Sequence, residues 1–465
     1  MKLGSAMGKR KTDMLNGPIW SNVLRYALPI AATGILGQLF NASDIAVVGN
    51  FSGSLGKASV AAVGSNSPIV GLIVNLFVSI SLGTNVIIAN AIGRDDKDAV
   101  SKAVHTSVVA SIIFGLFTTI LGELISKSVL KILNVPDEVF DLSLQYLRIY
   151  FLGMPVILLY NFEAAIFRSE GDTKTPLIVL TVSGILNVVL NLFFVIVFNM
   201  AVMGVAIATV ISNAVSAVVL FKMLLSSDKY IKIEMDKLKI DFECLKRILK
   251  IGLPAGLQSA VFSISNIVIQ SAINSLGTVV MAASSAAFNL EIIAYYVLNS
   301  FSQACTTFVG QNYGAGNLKR CKKTLHICLI EDLIASAITI VTVLFAGKFL
   351  LSLFNNDSEV IRIGYVRLLI IFSAYIFSML YEVMSGYLRG FGISLVPAIL
   401  TMLGVCVIRI IWIQTVFPKS PTFETIMTVY PISLATTAVL IFIAVLAYHP
   451  VHKILAEEKK VRGNC

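Results

Sequence analysis

A single aspartate lies inside an otherwise uncharged stretch near the start of the chain, and three neutral polar residues are spaced to meet it. Asp44 is near the end of the first long apolar segment, whereas Asn187 and Asn191 are four residues apart and would share one helix face. Thr209 lies in the next apolar segment. A carboxylate, two amides and a hydroxyl can bind a proton or a hard cation such as Na⁺ through their oxygens. Alternatively, the amides and the hydroxyl only join helices by hydrogen bonds.

Four other polar residues inside apolar segments are predicted to line a substrate path. They are Glu291, Gln38, Asn41 and Arg409. A charged side chain within a membrane segment usually faces a cavity or a partner. For Arg409 the sequence leaves two roles open, because an arginine can bind an anion or hold a carboxylate in place.

Two further acidic residues in these segments are expected to be structural. Glu163 and Glu382 lie within about two helical turns of Arg168 and Arg389, respectively. This spacing favours local pairing, or snorkelling of the side chains towards the membrane surface, over a role in transport.

The elements that carry these residues are predicted to be membrane helices. Apolar residues make up 57% of the 465 residues and charged residues 13%, with a mean hydropathy of +0.86, which excludes an ordinary soluble domain. A helix needs ~20 residues to cross a hydrocarbon core of ~30 Å. Twelve stretches are long enough: 20–50, 60–91, 103–125, 139–166, 176–199, 201–224, 246–275, 279–312, 324–346, 360–387, 395–416 and 424–448. The predicted fold is an all-α polytopic membrane protein with twelve transmembrane helices.

Helix geometry predicts that Asp44, Asn187, Asn191 and Thr209 lie at one level of the membrane. At ~1.5 Å per residue, Asp44 lies ~9 Å below the outer end of its helix, and Asn191 and Thr209 lie ~12 Å below theirs. Asn187 is one turn deeper, at ~18 Å. The four oxygen-bearing side chains of the first, fifth and sixth helices are therefore expected to converge on one level of the N-terminal half.

The second half of the chain repeats the first. The matches at a spacing of 221 residues include Gly93 with Gly314, His105 with His326, Tyr160 with Tyr381, Arg168 with Arg389 and Pro176 with Pro397. Earlier in the chain, Pro29 matches Pro254 at a spacing of 225. Six helices per repeat give both halves the same orientation, which predicts two pseudo-symmetric six-helix lobes. The polar set is confined to the first half, because Ile269 and Ile408 stand at the positions of Asp44 and Asn187.

The basic residues predict how the chain crosses the membrane. Most Lys and Arg residues lie in the tails, in the even-numbered connections and around the middle linker, which marks these parts as cytoplasmic. Both termini of a multi-pass plasma-membrane protein are therefore expected in the cytoplasm. The predicted domains are a tail at 1–18, a lobe at 19–225, a cytoplasmic linker at 226–245, a lobe at 246–449 and a tail at 450–465. The net charge is +10, but the basic residues do not form a contiguous basic domain, so nucleic-acid binding is not expected.

Motifs of the common enzyme classes are missing from the sequence. It has no P-loop for a nucleotide phosphate, and its six cysteines include no CxxC pair. Asp95 and Asp96 lie beside Arg94 and Lys97 without a second acidic cluster, which favours a solvated loop over a metal site. The sequence therefore predicts no enzyme and no cofactor. An integral-membrane transferase would need a paired-acid or His-acid motif near one surface, and the sequence shows none.

Two motifs resemble signatures of a transporter family. Residues 301–316, FSQACTTFVGQNYGAG, and residues 168–176, RSEGDTKTP, are similar to segments of the multidrug and toxic compound extrusion (MATE) family. The predicted twelve spans in two lobes with a central linker also agree with the architecture of this family, so the resemblance covers essentially the whole chain. It implies a V-shaped transporter that alternates between outward-open and inward-open forms and exports organic cations and other amphipathic toxins against entry of H⁺ or Na⁺.

The resemblance also implies roles for single residues. Asp44, Asn187 and Thr209 are similar to the cation-coupling residues of the DinF-type branch of the family. Asn191 departs from that branch, because many relatives have an aspartate there, and the missing charge leaves the coupling ion open. Pro29 resembles a proline at which bending of the first helix has been proposed, and proline does remove a helical hydrogen bond.

The expected substrates are small amphipathic or cationic organic molecules, with membrane lipids around the protein and a monomer as the expected state. The main alternative is a flippase for lipid-linked oligosaccharides from the same superfamily. A flippase predicts a more cationic cleft than one with Asp44, Glu291 and only Arg409.

Overall fold

Twelve helical spans follow one another in the order that the sequence predicts. The computed structural model describes residues 11–133, 135–228, 230–448 and 450, so most of both predicted tails lies outside the described residues. The spans are α1 (Ile19–Phe51), α2 (Gly56–Gly93), α3 (Lys97–Ile132), α4 (Asp137–Leu152 and Met154–Ser169), α5 (Lys174–Leu192, extended by a π-helical turn at Phe193–Val197), α6 (Ala201–Leu225), α7 (Phe242–Asn274), α8 (Thr278–Gly314), α9 (Leu318–Ser352), α10 (Ser358–Ser373 and Tyr375–Gly390), α11 (Leu395–Thr401, a π-helical turn at Met402–Val407, and Ile408–Thr415) and α12 (Phe423–Tyr448). Ten of them are long and apolar enough to cross a membrane, and α4 and α10 each do so as a bent pair. The predicted all-α, twelve-span fold is confirmed.

The bends in α4 and α10 occur at equivalent positions of the repeat. The two parts of α4 meet at 49° around Gly153, and those of α10 meet at 48° around Ala374. These two residues are 221 positions apart. Pro155 lies in the first turn of the second part of α4 and fits the bend there, since proline cannot donate a hydrogen bond to the preceding turn. In α10 the bend occurs without a proline. What the two helices share is therefore the position of the bend in the repeat, not the proline.

Packing between neighbouring helices confirms the register of the repeat in the last helix pair of each half. The Ser216 hydroxyl of α6 donates to Ser183 Oγ of α5 at 2.6 Å. At a spacing of 221, the equivalent residues are Thr437 of α12 and Gly404 of α11. These also touch, because a Cβ added at Gly404 would lie 3.0 Å from the Thr437 Cα. The same contact point therefore joins α5 to α6 and α11 to α12.

Contacts divide the described chain into two compact units. Each unit contains the first part of a helix whose remainder belongs to the other unit, and we call these two parts the exchanged helix ends. The first unit contains residues 11–12 and Ala32–Gly256, and the second contains Asp13–Ala31 and the chain from Leu257 onwards. The division falls inside α1 and inside α7, two residues after Pro29 and two residues after Pro254. The lobes predicted at 19–225 and 246–449 follow chain order and stay a prediction.

Each exchanged helix end has specific contacts within its unit. In the second unit, the Tyr26 hydroxyl of α1 donates to Thr307 Oγ1 of α8 at 2.9 Å. In the first unit, Gly252 of α7 lies directly against Ile80 of α2, where a Cβ would come within 2.6 Å of the Ile80 Cα. A side chain at Gly252 would force the two helices apart, so this backbone approach requires glycine.

The described part of the predicted linker, 226–245, packs on α3 of the first unit. Ile231 and Ile233 are buried in its apolar core. His105 of α3 donates from Nδ1 to the Ser101 carbonyl at 2.6 Å and accepts the backbone N–H of Glu234 at Nε2, at 2.9 Å. These contacts make the linker part of the first unit.

Candidate functional site

The connection between α5 and α6 brings the polar faces of these helices together. The π-helical turn of α5, Phe193–Val197, follows almost directly after Asn191. Asn199 and Ala201 then adopt left-handed backbone conformations, with φ of 52° and 43°. Such conformations are uncommon for residues other than glycine, and they allow a sharp reversal of the chain. The first turns of α6 therefore lie beside the last turns of α5.

Asp44 of α1 accepts hydrogen bonds from both of these helices. Asn191 Nδ2 donates to Asp44 Oδ1 at 2.5 Å, and Thr209 Oγ1 donates to Asp44 Oδ2 at 3.2 Å. Asn187 joins the two donors, since its Nδ2 donates to Thr209 Oγ1 at 3.4 Å and its Oδ1 accepts from Asn191 Nδ2 at 3.3 Å. The four residues singled out in the sequence therefore form one hydrogen-bonded group, which we call the Asp44 cluster.

The Asp44 cluster is enclosed by the first unit. Asp44 is 6% exposed and Asn191 is fully buried. Val48, Tyr146 and Val195 belong to the apolar core at this end of the unit. An ionised carboxylate in such surroundings is costly unless its charge is compensated. Two neutral donors compensate it in part, which leaves the cluster suited to a positive charge.

The oxygens of the cluster fit a small monovalent cation or a proton. Asn191 Oδ1 is buried and has no hydrogen-bond donor among the described residues. A buried acceptor without a donor marks a place where a ligand can supply the missing contact. Turning the Asn191 amide exchanges its oxygen and nitrogen, and this presents a second oxygen to a cation held by Asp44. Carboxylate, amide and hydroxyl oxygens are hard ligands suited to Na⁺, and Asp44 alone can take a proton.

Two of the predicted path residues lie on α1 without joining this cluster. Gln38 is half-buried and Asn41 is exposed. Both precede Asp44 by less than two helical turns. They therefore lie on the same part of α1 as Asp44, which alone of the three is buried.

Glu291, also predicted to face a substrate path, forms an ion pair in the second unit. Arg367 of α10 donates from Nε to Oε1 at 2.6 Å and from Nη2 to Oε2 at 2.8 Å. Its Nη1 donates to Ser284 Oγ at 2.5 Å. Arg367 was not predicted from the sequence, although an arginine in the interior of the apolar tenth segment was a usable signal.

Arg409 of α11 is buried among aromatic side chains of the second unit. It is 3% exposed, and its Nε donates to Ser433 Oγ at 3.0 Å. The guanidinium carbon lies 4.1 Å from the centre of the Tyr430 ring and 5.8 Å from that of Phe262. Of its two predicted roles, holding a carboxylate finds no support, because no described carboxylate forms an ion pair with it.

The expected local pairing is wrong for Glu163, whereas Glu382 interacts electrostatically with Arg389 without a hydrogen bond between them. Both are buried, and neither oxygen of Glu163 has a hydrogen-bond partner among the described residues. Glu382 accepts from the Tyr295 hydroxyl at 3.5 Å, whereas Arg389 donates to Gln258 at 2.8 Å. Five residues turn a helix by about 140° beyond a full turn, and seven residues advance it by about 10 Å, so neither spacing brings side chains directly together.

Known proteins resemble this chain along most of its length. The family model named MatE matches residues 29–193 and 254–413. A similar curated protein is "Probable multidrug resistance protein YoeA" of Bacillus subtilis, 25% identical over 396 residues that cover 83% of this chain and 84% of that protein. Another is "FAD transporter" of Shewanella oneidensis, 23% identical over 363 residues that cover 76% and 78% of the two chains. The solved structure titled "Crystal structure of MATE in complex with MaL6" shares the fold with a TM-score of 0.87 at 22% identity, covering 96% of this chain and 99% of that one.

Proposed function

Because this chain belongs to the MatE family of multidrug efflux transporters, we propose that it exports small amphipathic or cationic organic molecules in exchange for H⁺ or Na⁺. Relatives named multidrug resistance and multidrug export proteins support the export of organic molecules. The observation that carries the cation exchange is the Asp44 cluster, a buried carboxylate held only by neutral donors.

Binding of the coupling cation acts on the packing of α1, α5 and α6. In the absence of a cation, Asp44 ties these helices together through Asn191 and Thr209. A cation on Asp44 Oδ1 is repelled by the positive end of the Asn191 N–H group, so the amide has to turn or withdraw. The cation drives export only through its different affinity for the outward-open and inward-open states.

Pro29 and Pro254 suit hinges in this cycle. Each lies inside a helix, where proline removes a backbone hydrogen bond and favours a kink. In both helices the chain passes from one unit to the other two residues later. Bending at these positions allows α1 and α7 to stay continuous while the units rearrange.

We also propose a plasma-membrane monomer with both termini in the cytoplasm. The excess of Lys and Arg in the tails and even-numbered connections supports this orientation. The twelve candidate spans are an even number, which supports placing both termini on one side.

The proposed function is tested by dye movement in proteoliposomes with an imposed proton or sodium gradient. We expect ethidium and rhodamine 123, both organic cations, to move against at least one of these gradients and to remain unmoved without a gradient. The gradient that works identifies the coupling ion. If neither gradient moves either dye, cation-coupled export of organic cations is wrong for this protein.

The Asn191→Asp variant is expected to bind the coupling cation more tightly. It places a second carboxylate beside Asp44, where attraction between opposite charges a few ångströms apart is worth a few kcal/mol at the effective dielectric of such a site, about ten-fold or more in affinity. The measurement is the Na⁺ concentration, or the pH, that gives half-maximal dye release. Asn50→Asp, the same change at an exposed position of α1, is the matched control and should change neither value. Equal values for wild type and Asn191→Asp would show that cations bind elsewhere.

A further inference from the structure

The second half of the chain has replaced the Asp44 cluster with apolar and aromatic residues. The equivalent positions hold Ile269 for Asp44, Ile408 for Asn187, Trp412 for Asn191 and Tyr430 for Thr209. The contact of Gly404 with Thr437 supports this register in the structure. Three of these four side chains have no oxygen that could bind a cation, and the Tyr430 hydroxyl is the fourth.

Arg409 puts a permanent positive charge at the level where the first half has a place for a cation. It follows Ile408 directly, and its guanidinium lies over the ring of Tyr430 at 4.1 Å. It is about 21 Å along α11 from Leu395, well inside the membrane span. An arginine stays protonated in proteins, so burial cannot remove its charge. The polarity of the site is therefore opposite in the two halves.

This charge lacks a counter-charge within the described residues. The other buried arginine nearby, Arg367, is neutralised by Glu291 at 2.6 Å. Arg409 has the hydrogen bond to Ser433 and the two ring contacts, and no described carboxylate forms an ion pair with it. An uncompensated charge at this depth is costly, and it is normally paired or faces a functional path.

The free side of the guanidinium has the geometry of an oxyanion receptor. Tyr430 and Phe262 pack on it as aromatic neighbours, and Ser433 satisfies its Nε. Nη1 and Nη2 are the donors that form parallel bonds to a carboxylate or phosphate. Neither nitrogen has a hydrogen-bond partner among the described residues. Neither is completely enclosed by protein atoms, so a ligand oxygen can reach them.

An apolar groove that begins one helical turn from Arg409 offers space for the organic part of a ligand, although Arg409 itself does not line it. Ile413, one helical turn after Arg409 on the same face of α11, lines a groove of about 510 Å³ together with Ile267, Ser271 and Phe417. This volume is within the range of small-molecule sites.

We propose that Arg409 binds an oxyanion, a carboxylate or phosphate, carried by the transported organic molecule. The proposal rests on the proposed export function and extends it to zwitterionic and anionic substrates. The first unit would then bind the coupling cation, and the second unit would bind the negative group of the substrate. A cationic molecule without an oxyanion would not use Arg409.

The test compares two dyes that differ by one ester group. Rhodamine 110 has a free carboxylate, and rhodamine 123 is its methyl ester. Binding to the purified protein in lipid nanodiscs is measured by fluorescence polarisation for wild type, Arg409→Gln and Arg409→Lys. We expect Arg409→Gln to weaken rhodamine 110 binding about ten-fold or more, the range for a hydrogen bond to a charged group, with rhodamine 123 binding unchanged. Arg409→Lys keeps the charge but loses the planar fork, so it should retain part of the affinity.

Arg362→Gln is the matched control, since it removes an exposed arginine from α10 and should affect neither dye. Competition by inorganic phosphate against rhodamine 110 would show that a free oxyanion also occupies the site, and its failure would show that the organic part is needed. The proposal is overturned if wild type binds the acid no better than Arg409→Gln does while the variant remains folded by size-exclusion chromatography. Gradient-driven movement of rhodamine 123 is measured separately, so loss of the proposed export function is distinguishable from loss of the oxyanion site.

Discussion

Asp44→Asn is expected to abolish the dependence of dye transport on the cation gradient. Asparagine keeps the size of the side chain and can still accept from Asn191, but it neither takes a proton nor attracts Na⁺ with a full charge. Coupling between two ligands is typically worth about 1 to 3 kcal/mol, or about 5- to 150-fold in affinity. We therefore expect dye affinity in the variant to be independent of pH and Na⁺, and gradient-driven efflux to fall to the rate without a gradient.

The experiment for this prediction measures both quantities on the same preparations. Asp137→Asn, the same change at an exposed position at the start of α4, controls for expression and for the loss of one charge. It should transport like wild type. If Asp44→Asn keeps gradient-driven efflux at matched protein levels, coupling does not depend on this carboxylate, and the proposed role of the Asp44 cluster is wrong.

Glu291→Gln is expected to destabilise the folded protein strongly. The change leaves Arg367 buried at 4% side-chain exposure without its counter-charge, between the rings of Phe288 and Tyr430. Removing one partner of a buried ion pair costs about 3 to 5 kcal/mol, because the remaining charge stays desolvated. The measurement is the thermal unfolding midpoint in detergent or nanodiscs, which we expect to fall clearly.

An exposed ion pair of the same composition supplies the control. Arg362 and Glu359 form two hydrogen bonds at 2.6 and 2.9 Å on the surface of α10, where water screens the pair. Glu359→Gln should leave the midpoint unchanged. Combining Glu291→Gln with Arg367→Gln removes both buried charges and should recover much of the loss. A wild-type midpoint for Glu291→Gln alone would mean that Arg367 finds other compensation, and Glu291 would again be free to face a substrate path.

The fold and the position of the Asp44 cluster were accessible from sequence because helices impose fixed distances along the chain. Counting residues from the helix ends places Asp44, Asn191 and Thr209 at similar depths, and the structure brings them within hydrogen-bond distance. Likewise, a spacing of 221 residues predicts equivalent halves, and the bends at Gly153 and Ala374 occur at that spacing. The depth of a residue in its helix and the spacing of the repeat both follow from counting residues along the chain, so a sequence alone provides them.

Contacts between distant helices were not accessible in the same way. The pairing of Glu291 with Arg367 spans 76 residues and depends on the rotation of α8 and α10 about their own axes. A single sequence does not fix that rotation when most of each helix is apolar on all sides. Conversely, closeness in sequence does not guarantee a contact. Glu163 does not pair with Arg168, although the two are only five positions apart.

The exchanged helix ends constrain how the protein is made. The first unit remains incomplete until residues 242–256 have left the ribosome, although its other helices end at Leu225. The second unit requires residues 13–31 to stay available while more than 200 further residues, 32–256, are synthesised. The first unit therefore cannot finish folding before the second half has begun to be made, and the second unit depends on a segment made before the rest of the first unit. Two fragments split within the linker would each lack a helix end, and they should become stable only when both are produced together in the same cell.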